Sequence, residues 1–195
     1  MRIIPGFVFL LIISLVGKSQ DQNSSKPAKK VKVNFASYNT FNLLHSVESV
    51  HAGLQTVNGV SINNTFIGAG VAIDWYGMRS VPMFADFRQV FNLGRATFFA
   101  YGDIGYNGPW YKKEPATMWG YSHQSTDGGI YYDIGAGYLI PFRKRNAMIL
   151  SAGYSVKEMA KSYQQVGWGW PTEEDLYEKF NYKYRRLSVK IGWRF

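Results

Sequence analysis

In the segment RRLSVKIGWRF, Leu187, Val189, Ile191, Trp193 and Phe195 share one parity, while Arg186, Ser188, Lys190, Gly192 and Arg194 share the other. Successive side chains of a strand point to opposite faces, so a period of two predicts a strand with one apolar and one polar side. A helix would scatter both sets around its circumference. The same alternation runs through IYYDIGAGYLI, FIGAGVAIDWY, TFFAYGDIGY, MFADFRQV and AMILSAGYSV. Gln89 falls on an apolar face and Phe99 on a polar one. SVHAGLQTVNGV supplies a further strand, and one near Phe35–Leu44 makes the count even, as a closed sheet requires. The expected strands are 35–45, 48–60, 65–76, 81–91, 96–107, 129–141, 146–159 and 182–195.

Connection lengths add a second pattern. Most joins are short: SINN, NLGR and FRKRN. Two are long, NGPWYKKEPATMWGYSHQSTDG and AKSYQQVGWGWPTEEDLYEKFNY. In an up-and-down sheet these two leave the same end, opposite both termini. Short turns at one end and long loops at the other are the habit of transmembrane barrels. Asn63, Asn64 and Gly94 suit tight turns, and Pro141 suits a strand end. Within the second long connection, TEEDLYEKF reads as a short helix capped by Thr172, with Leu176 and Phe180 on one face.

The fold expected is therefore all-β: an eight-stranded antiparallel up-and-down transmembrane β-barrel. Backbone polar groups cannot stay unpaired in hydrocarbon, so a sheet there must close on itself. Its polar face must then turn inward, where charges need partners. The expected lumen network is Asp74, Asp86, Asp103 and Asp133 against Arg88, Arg186, Lys190 and Arg194. Bulky Phe99, Tyr101 and Arg88 would plug the tube, and inner glycines Gly68, Gly70, Gly135 and Gly137 would make room. Trp75, Tyr76, Tyr106, Trp110, Tyr138, Phe142, Trp193 and Phe195 would form interfacial girdles. A soluble lipocalin-like carrier, with the apolar face inside, is the inverse solution of the same periodicity.

Composition and the N-terminus favour the membrane solution. Charged residues are only 18% of the chain and aromatics 17%, whereas soluble domains carry about 25% charged residues. MRIIPGFVFLLIISLVGKSQ has an early Arg2, an apolar run and small residues before Gln20, the signature of a secretory signal peptide. The expected organisation is a signal peptide at 1–19, a flexible basic periplasmic leader at 20–34 and the barrel at 35–195. The formal charge of +9 could suit nucleic acid, but export and the lack of a recognition motif exclude it. The chain has no cysteine and three histidines. Those histidines lack metal-ligand spacing, so neither a metal nor another cofactor is expected.

The segments HAGLQTVNGVSINNTFIGAGVAIDWYG, VPMFADFRQVF, FFAYGDIGYN and GIYYDIGAGYLIPF resemble small outer-membrane β-barrel proteins of the Bacteroidota, over residues 45–195. The resemblance implies location in the cell outer membrane, contact with its lipids, and assembly by the barrel insertion machinery. That machinery would read Leu187, Ile191, Trp193 and Phe195 as the insertion pattern. It carries place and fold rather than chemistry.

No catalytic motif stands out. His51 lies near Ser46 and Ser49, and His123 near Ser122, Ser125 and Asp127, but a triad is a matter of geometry, not of spacing. The expected role is non-enzymatic: structural, or surface interaction through the long loops. There Trp110, Tyr111, Trp119, Trp168 and Trp170 would meet a protein or glycan ligand. A small-solute pore or transport-associated barrel, and a lipid-modifying enzyme, are the alternatives.

Overall fold

The computed structural model describes residues 32–46, 49–110, 121–142, 146–165 and 177–195, without the side chains of 121–124, 164, 165 and 177. The signal-peptide reading and most of the leader lie outside these residues. Eight strands run in chain order: β1 (Val33–His45), β2 (Val50–Ile62), β3 (Thr65–Asp74), β4 (Ser80–Leu93), β5 (Ala96–Pro109), β6 (Tyr121–Pro141), β7 (Ala147–Gln165) and β8 (Tyr177–Arg194). Each pairs antiparallel with its sequence neighbours, and β8 returns to β1 to close the barrel. The closing ladder runs from Tyr38–Arg194 to His45–Leu187. Two further bonds, Ser37 N to Phe195 O at 2.9 Å and Phe195 N to Ser37 O at 3.1 Å, extend it. Closure leaves no strand edge, which is what a hydrocarbon environment demands.

The turns at one end are tight because their residues tolerate a left-handed backbone. Asn63 has φ of 55° and Gly94 has φ of 62°. Gly70 shows a different need. It faces inward, and a Cβ there would lie 2.5 Å from the Phe84 ring. Gly137 likewise makes room for the Phe99 ring of the neighbouring strand, and Gly68 for the Phe66 ring of its own.

The two faces of the sheet separate cleanly. Ile104, Ile134, Phe87, Leu187 and Val189 are exposed on the outside, while Asp86, Asp103, Asp133, Lys157 and Lys190 are buried within. Among the described residues, no outward strand position below Glu158 on β7 and Arg185 on β8 carries Asp, Glu, Lys or Arg. This is the inverse of a soluble carrier. A contiguous apolar exterior of this extent is costly in water and matched to hydrocarbon.

Three sequence expectations need correction. The long connections are shorter than expected, because β6, β7 and β8 continue well past the barrel wall. Register shifts between His123 and Ser125 and between Gly128 and Tyr131 mark where the β6–β7 ladder bends out of the barrel. Beside and between them lie the exposed pairs Lys183–Glu158 at 2.9 Å and Lys179–Asp127 at 3.4 Å, and β8 is exposed at every position from Glu178 to Lys183, so water reaches both of its faces. The expected helix over TEEDLYEKF also fails in its second half: Tyr177–Phe180 open β8 and pair with β7. Finally, β1 begins at Val33, two residues inside the segment read as leader.

The lack of native cysteine allows single-cysteine spin labelling. Labels at Ile104→Cys and Ile134→Cys will be relaxed by oxygen, which partitions into lipid, and not by aqueous nickel. Preferential nickel relaxation at both would contradict the inverted barrel. An Ile104→Arg variant will lose about 2–4 kcal/mol of folding free energy in bilayers, read from denaturant titration.

Candidate functional site

The lumen is filled in three tiers. At the short-turn end, Ala36, Tyr38, Val57, Phe66, Phe99 and Ile149 form an apolar layer. Tyr38 and Phe66 rings pack with centroids 4.8 Å apart. Arg88 bridges this layer to the next: its Cζ sits 4.1 Å from the Tyr38 ring centroid. Cation–π contact of a desolvated guanidinium stabilises by about 2 kcal/mol or more.

The middle tier is ionic. Arg88 grips Asp86 with both ends of its fork, Nε to Oδ1 at 2.9 Å and Nη2 to Oδ2 at 2.7 Å. Lys190 Nζ lies 3.0 Å from Asp133 Oδ2 and 3.5 Å from Asp103 Oδ2. A chain of neutral donors completes the set. Thr40 donates to Asn42 at 2.9 Å, Asn42 to Gln55 at 3.2 Å, and Gln55 to Asp103 at 3.1 Å. Tyr101 OH donates to Asp133 Oδ1 at 3.0 Å. The network therefore ties β1, β2, β4, β5, β6 and β8 across the tube. Such groups are tolerated in a low-dielectric interior only when paired and hydrogen-bonded.

The third tier closes the long-connection end. Lys157 Nζ donates to Asp74 Oδ1, to Met78 O at 2.8 Å and to Ser80 Oγ at 2.9 Å. All three of its protons are thus used. Ser80 Oγ donates to Asp74 at 3.0 Å. The ammonium also sits 3.8 Å from the Tyr76 ring centroid. Together these contacts fold the β3–β4 turn inward over the lumen. Gly77, at φ of 65°, lies against Tyr184, whose ring would meet a Cβ there at 2.4 Å.

Of the residues expected in the network, Asp74, Asp86, Arg88, Asp103, Asp133 and Lys190 are buried inside and bonded as described. Arg186 and Arg194 face inward, half-buried, and among the described residues neither lies in a salt bridge. Lys157 was missed, although it follows Ser155 on the polar parity of β7. Tyr76 corrects the girdle expectation: it is buried inside at 1% exposure, while Trp75, Tyr106, Trp110, Phe142, Trp193 and Phe195 are exposed. Leu187, Ile191, Trp193 and Phe195 are all outward and exposed.

The wall is also interrupted between β3 and β4. The β3–β4 ladder runs from Thr65–Gln89 to Val71–Met83, then skips to Asp74–Ser80. Pro82 stands in the skipped stretch and has no N–H to donate. Beside it, on the outer surface, lies an apolar cavity of about 430 Å³. Phe41, Leu54, Val71, Ile73, Val81 and Trp193 line it. Asn39 and Thr56 also line it, joined to each other by a 2.8 Å hydrogen bond.

The catalytic candidates are sparse. Ser49 Oγ is 2.8 Å from His51 Nε2, but among the described residues no carboxylate bonds to the other ring nitrogen. The His123 side chain lies outside the described residues. No group of three or more His, Cys, Asp or Glu among the described residues could hold a metal. Of the aromatics expected in recognition, Trp110 is exposed, with its backbone N–H donating to Arg79 O at 3.0 Å and the Arg79 guanidinium 5.4 Å from its ring centroid. Tyr111, Trp119, Trp168 and Trp170 lie outside the described residues.

A scan of protein-family models and a search of curated proteins found no match. Among solved structures, the chain is similar to the outer membrane protein AlkL, determined by solid-state NMR in DMPC lipid bilayers. That similarity has 8% identity and a TM-score of 0.53, over 91% of this chain and 96% of that one. The outer membrane protein OprG from Pseudomonas aeruginosa aligns at 12% identity and a TM-score of 0.43, over 84% of this chain and 92% of that one. At 8% identity the likeness to AlkL is one of fold, and this closed eight-stranded barrel shares its fold with an outer membrane protein solved in a bilayer.

Proposed function

We propose that the protein spans the bacterial outer membrane and serves as a transport-associated barrel for small apolar solutes. On this reading the solute passes through the wall at the β3–β4 seam, not down the axis. The carrying observation is a ladder interrupted at Pro82 beside an apolar cavity of about 430 Å³, in a barrel whose axis is filled with paired charges. The cavity lies within the usual range for small-molecule sites, about 300–1,000 Å³. Its lining is mainly apolar and carries no charged side chain; of its polar members, Asn39 and Thr56 bond each other, and Thr40 and Gln55 are held in the lumen network, so it suits an uncharged solute. Strands joined by full ladders part only at the cost of every bond between them, whereas two skipped pairs lower that cost locally. Periplasmic turns are then the short ones, and the long connections are extracellular.

A second reading, recognition of a protein or glycan by the long loops, is supported by Trp110, exposed and braced by Arg79. Its test is Trp110→Ala. A loss of whole-cell binding to an immobilised glycan array with unaltered solute uptake would favour it over transport.

Cysteines placed at Ile73 and Val81 would face each other across the skipped stretch. When oxidised, they will reduce uptake of an uncharged fluorescent apolar probe into proteoliposomes by tenfold or more, with recovery on reduction. Uptake that ignores the crosslink would sink the seam route. Planar-bilayer recordings of the unmodified barrel will lack a steady ionic conductance.

Lys157 holds the upper end of this seam. Lys157→Met leaves Asp74 buried with Ser80 as its remaining side-chain partner. Removing one member of a buried pair costs about 3–5 kcal/mol. The expected readouts are a lower urea midpoint in bilayers and faster uptake of the same probe.

A further inference from the structure

At the short-turn end, Arg194 presents an unsatisfied donor. Its Nε is buried without a hydrogen-bond partner among the described residues, and its nearest side-chain acceptor is Ser61 Oγ, 3.4 Å from Nη2. The hydroxyl of Tyr38 is likewise buried and unpartnered, with its ring centroid 5.5 Å from the Arg194 Cζ. Arg88 makes the contrast plain. It too lies against Tyr38, but its guanidinium is paired through Nε and Nη2 with Asp86. A buried N–H left without an acceptor is costly even where the rest of the guanidinium reaches water.

Two cavities meet at this residue. One is about 350 Å³, lined by Lys32, Asn34, Ser61, Asn63 and Arg194 with flanking Phe35 and Phe195. The other is about 200 Å³ and shares Ser61, Asn63 and Arg194. Neither contains an Asp or Glu among its lining residues. The pair therefore combines two cations, neutral donors, the orphaned Nε of Arg194, and room for more than a water, whose share of liquid volume is about 30 Å³. The donors come from different directions: Arg194 from β8, Ser61 from β2, and Lys32 and Asn34 from the start of β1. A set converging from several sides matches the tetrahedral oxygens of phosphate better than the planar pair of a carboxylate. Phe35 and Phe195 are exposed on the outside of the same cavity, which sets it at the level where apolar wall meets water.

We propose that the short-turn mouth of the barrel binds a phosphate group, held by Arg194, Lys32 and Ser61. The group comes either from free phosphate or from the headgroup of a phospholipid packed beside Phe35. This site is independent of the seam route, and either stands if the other fails.

The test uses the full mature barrel refolded in maltoside micelles, which contain no phosphate. Calorimetric titration is run with inorganic phosphate, with short-chain phosphatidylglycerol, and with the matching phosphate-free diacylglycerol; sodium chloride at equal ionic strength is the control. Saturable binding of inorganic phosphate supports the site with a soluble source. Binding of the phosphatidylglycerol alone, absent for the diacylglycerol, supports it with a lipid source. Arg194→Gln should weaken either by tenfold or more, and Ser61→Ala by several-fold. Each variant is checked for folding by its gel shift on heating. If Arg194→Gln does not fold, Lys32→Gln and Ser61→Ala carry the comparison. No heat of binding from either phosphate source, binding unaltered in folded variants, or an equal response to chloride would each overturn the proposal.

Discussion

The structure depends on one constraint: a backbone in hydrocarbon must satisfy its hydrogen bonds within itself. A single open edge would strand a row of N–H and C=O groups, each costing several kcal/mol. Pairing β8 with β1 removes that edge. Once the sheet is closed, its two faces are fixed by the period of two. The outer face must be apolar, so every charge carried by the wall strands has to go inside. The lumen network is therefore a consequence of closure as much as a device in its own right. Among the described residues of the wall, four aspartates and five cations face inward, so the interior nearly balances, and the cations outside a salt bridge, Arg186 and Arg194, lie toward its two ends.

That interior is held more by specificity than by net attraction. Taking charges out of water costs several kcal/mol per ion, and good geometry roughly repays it. What the network supplies is register. The Arg88–Asp86 fork, the Lys190 bridge and the Gln55–Asp103 bond each join residues at fixed heights on different strands. Slipping any strand by one residue would turn its charges into lipid and leave partners unpaired. A barrel with greasy, interchangeable outer positions needs such internal marks, because the outer face alone does not distinguish one register from another.

How much of this was legible in the sequence follows from where alternation has a cause. Between Leu187 and Phe195 one face meets lipid and the other ions, so the pattern is sharp and fixes strand, face and network members together. Above Arg185 both faces meet water, alternation loses its cause, and the extensions of β6, β7 and β8 were read as loops. For the same reason Tyr177–Phe180, in a polar stretch with helix-forming Glu and Lys, looked helical, yet pairing with β7 overrides local propensity. Tyr76 was misplaced because an aromatic at a strand end reads as interfacial, whereas the turn that carries it folds inward. That turn is directed by Lys157, whose partners are 77 to 83 residues away in sequence. The orphaned Nε of Arg194 had no sequence signal at all, since the cation looks the same with or without a counter-ion.

Pro82 brings these strands of argument together. A proline in a barrel wall removes a ladder donor where an unmet acceptor is most costly, and sheets normally confine it to edges or bulges. Here it stands next to two devices. On the inside, Lys157 binds Asp74 and Ser80, the pair where the ladder resumes, and so restores with ionic bonds the cohesion lost in backbone bonds. On the outside, the same stretch borders the apolar cavity. A defect that was merely tolerated would need the clamp but not the cavity, and a lipid-filled dent would need the cavity but not the clamp. On the proposed wall route, a weakened seam fastened at its water-facing end by a single lysine would act as a gate, with a low local opening cost and one latch through which it can be raised or lowered.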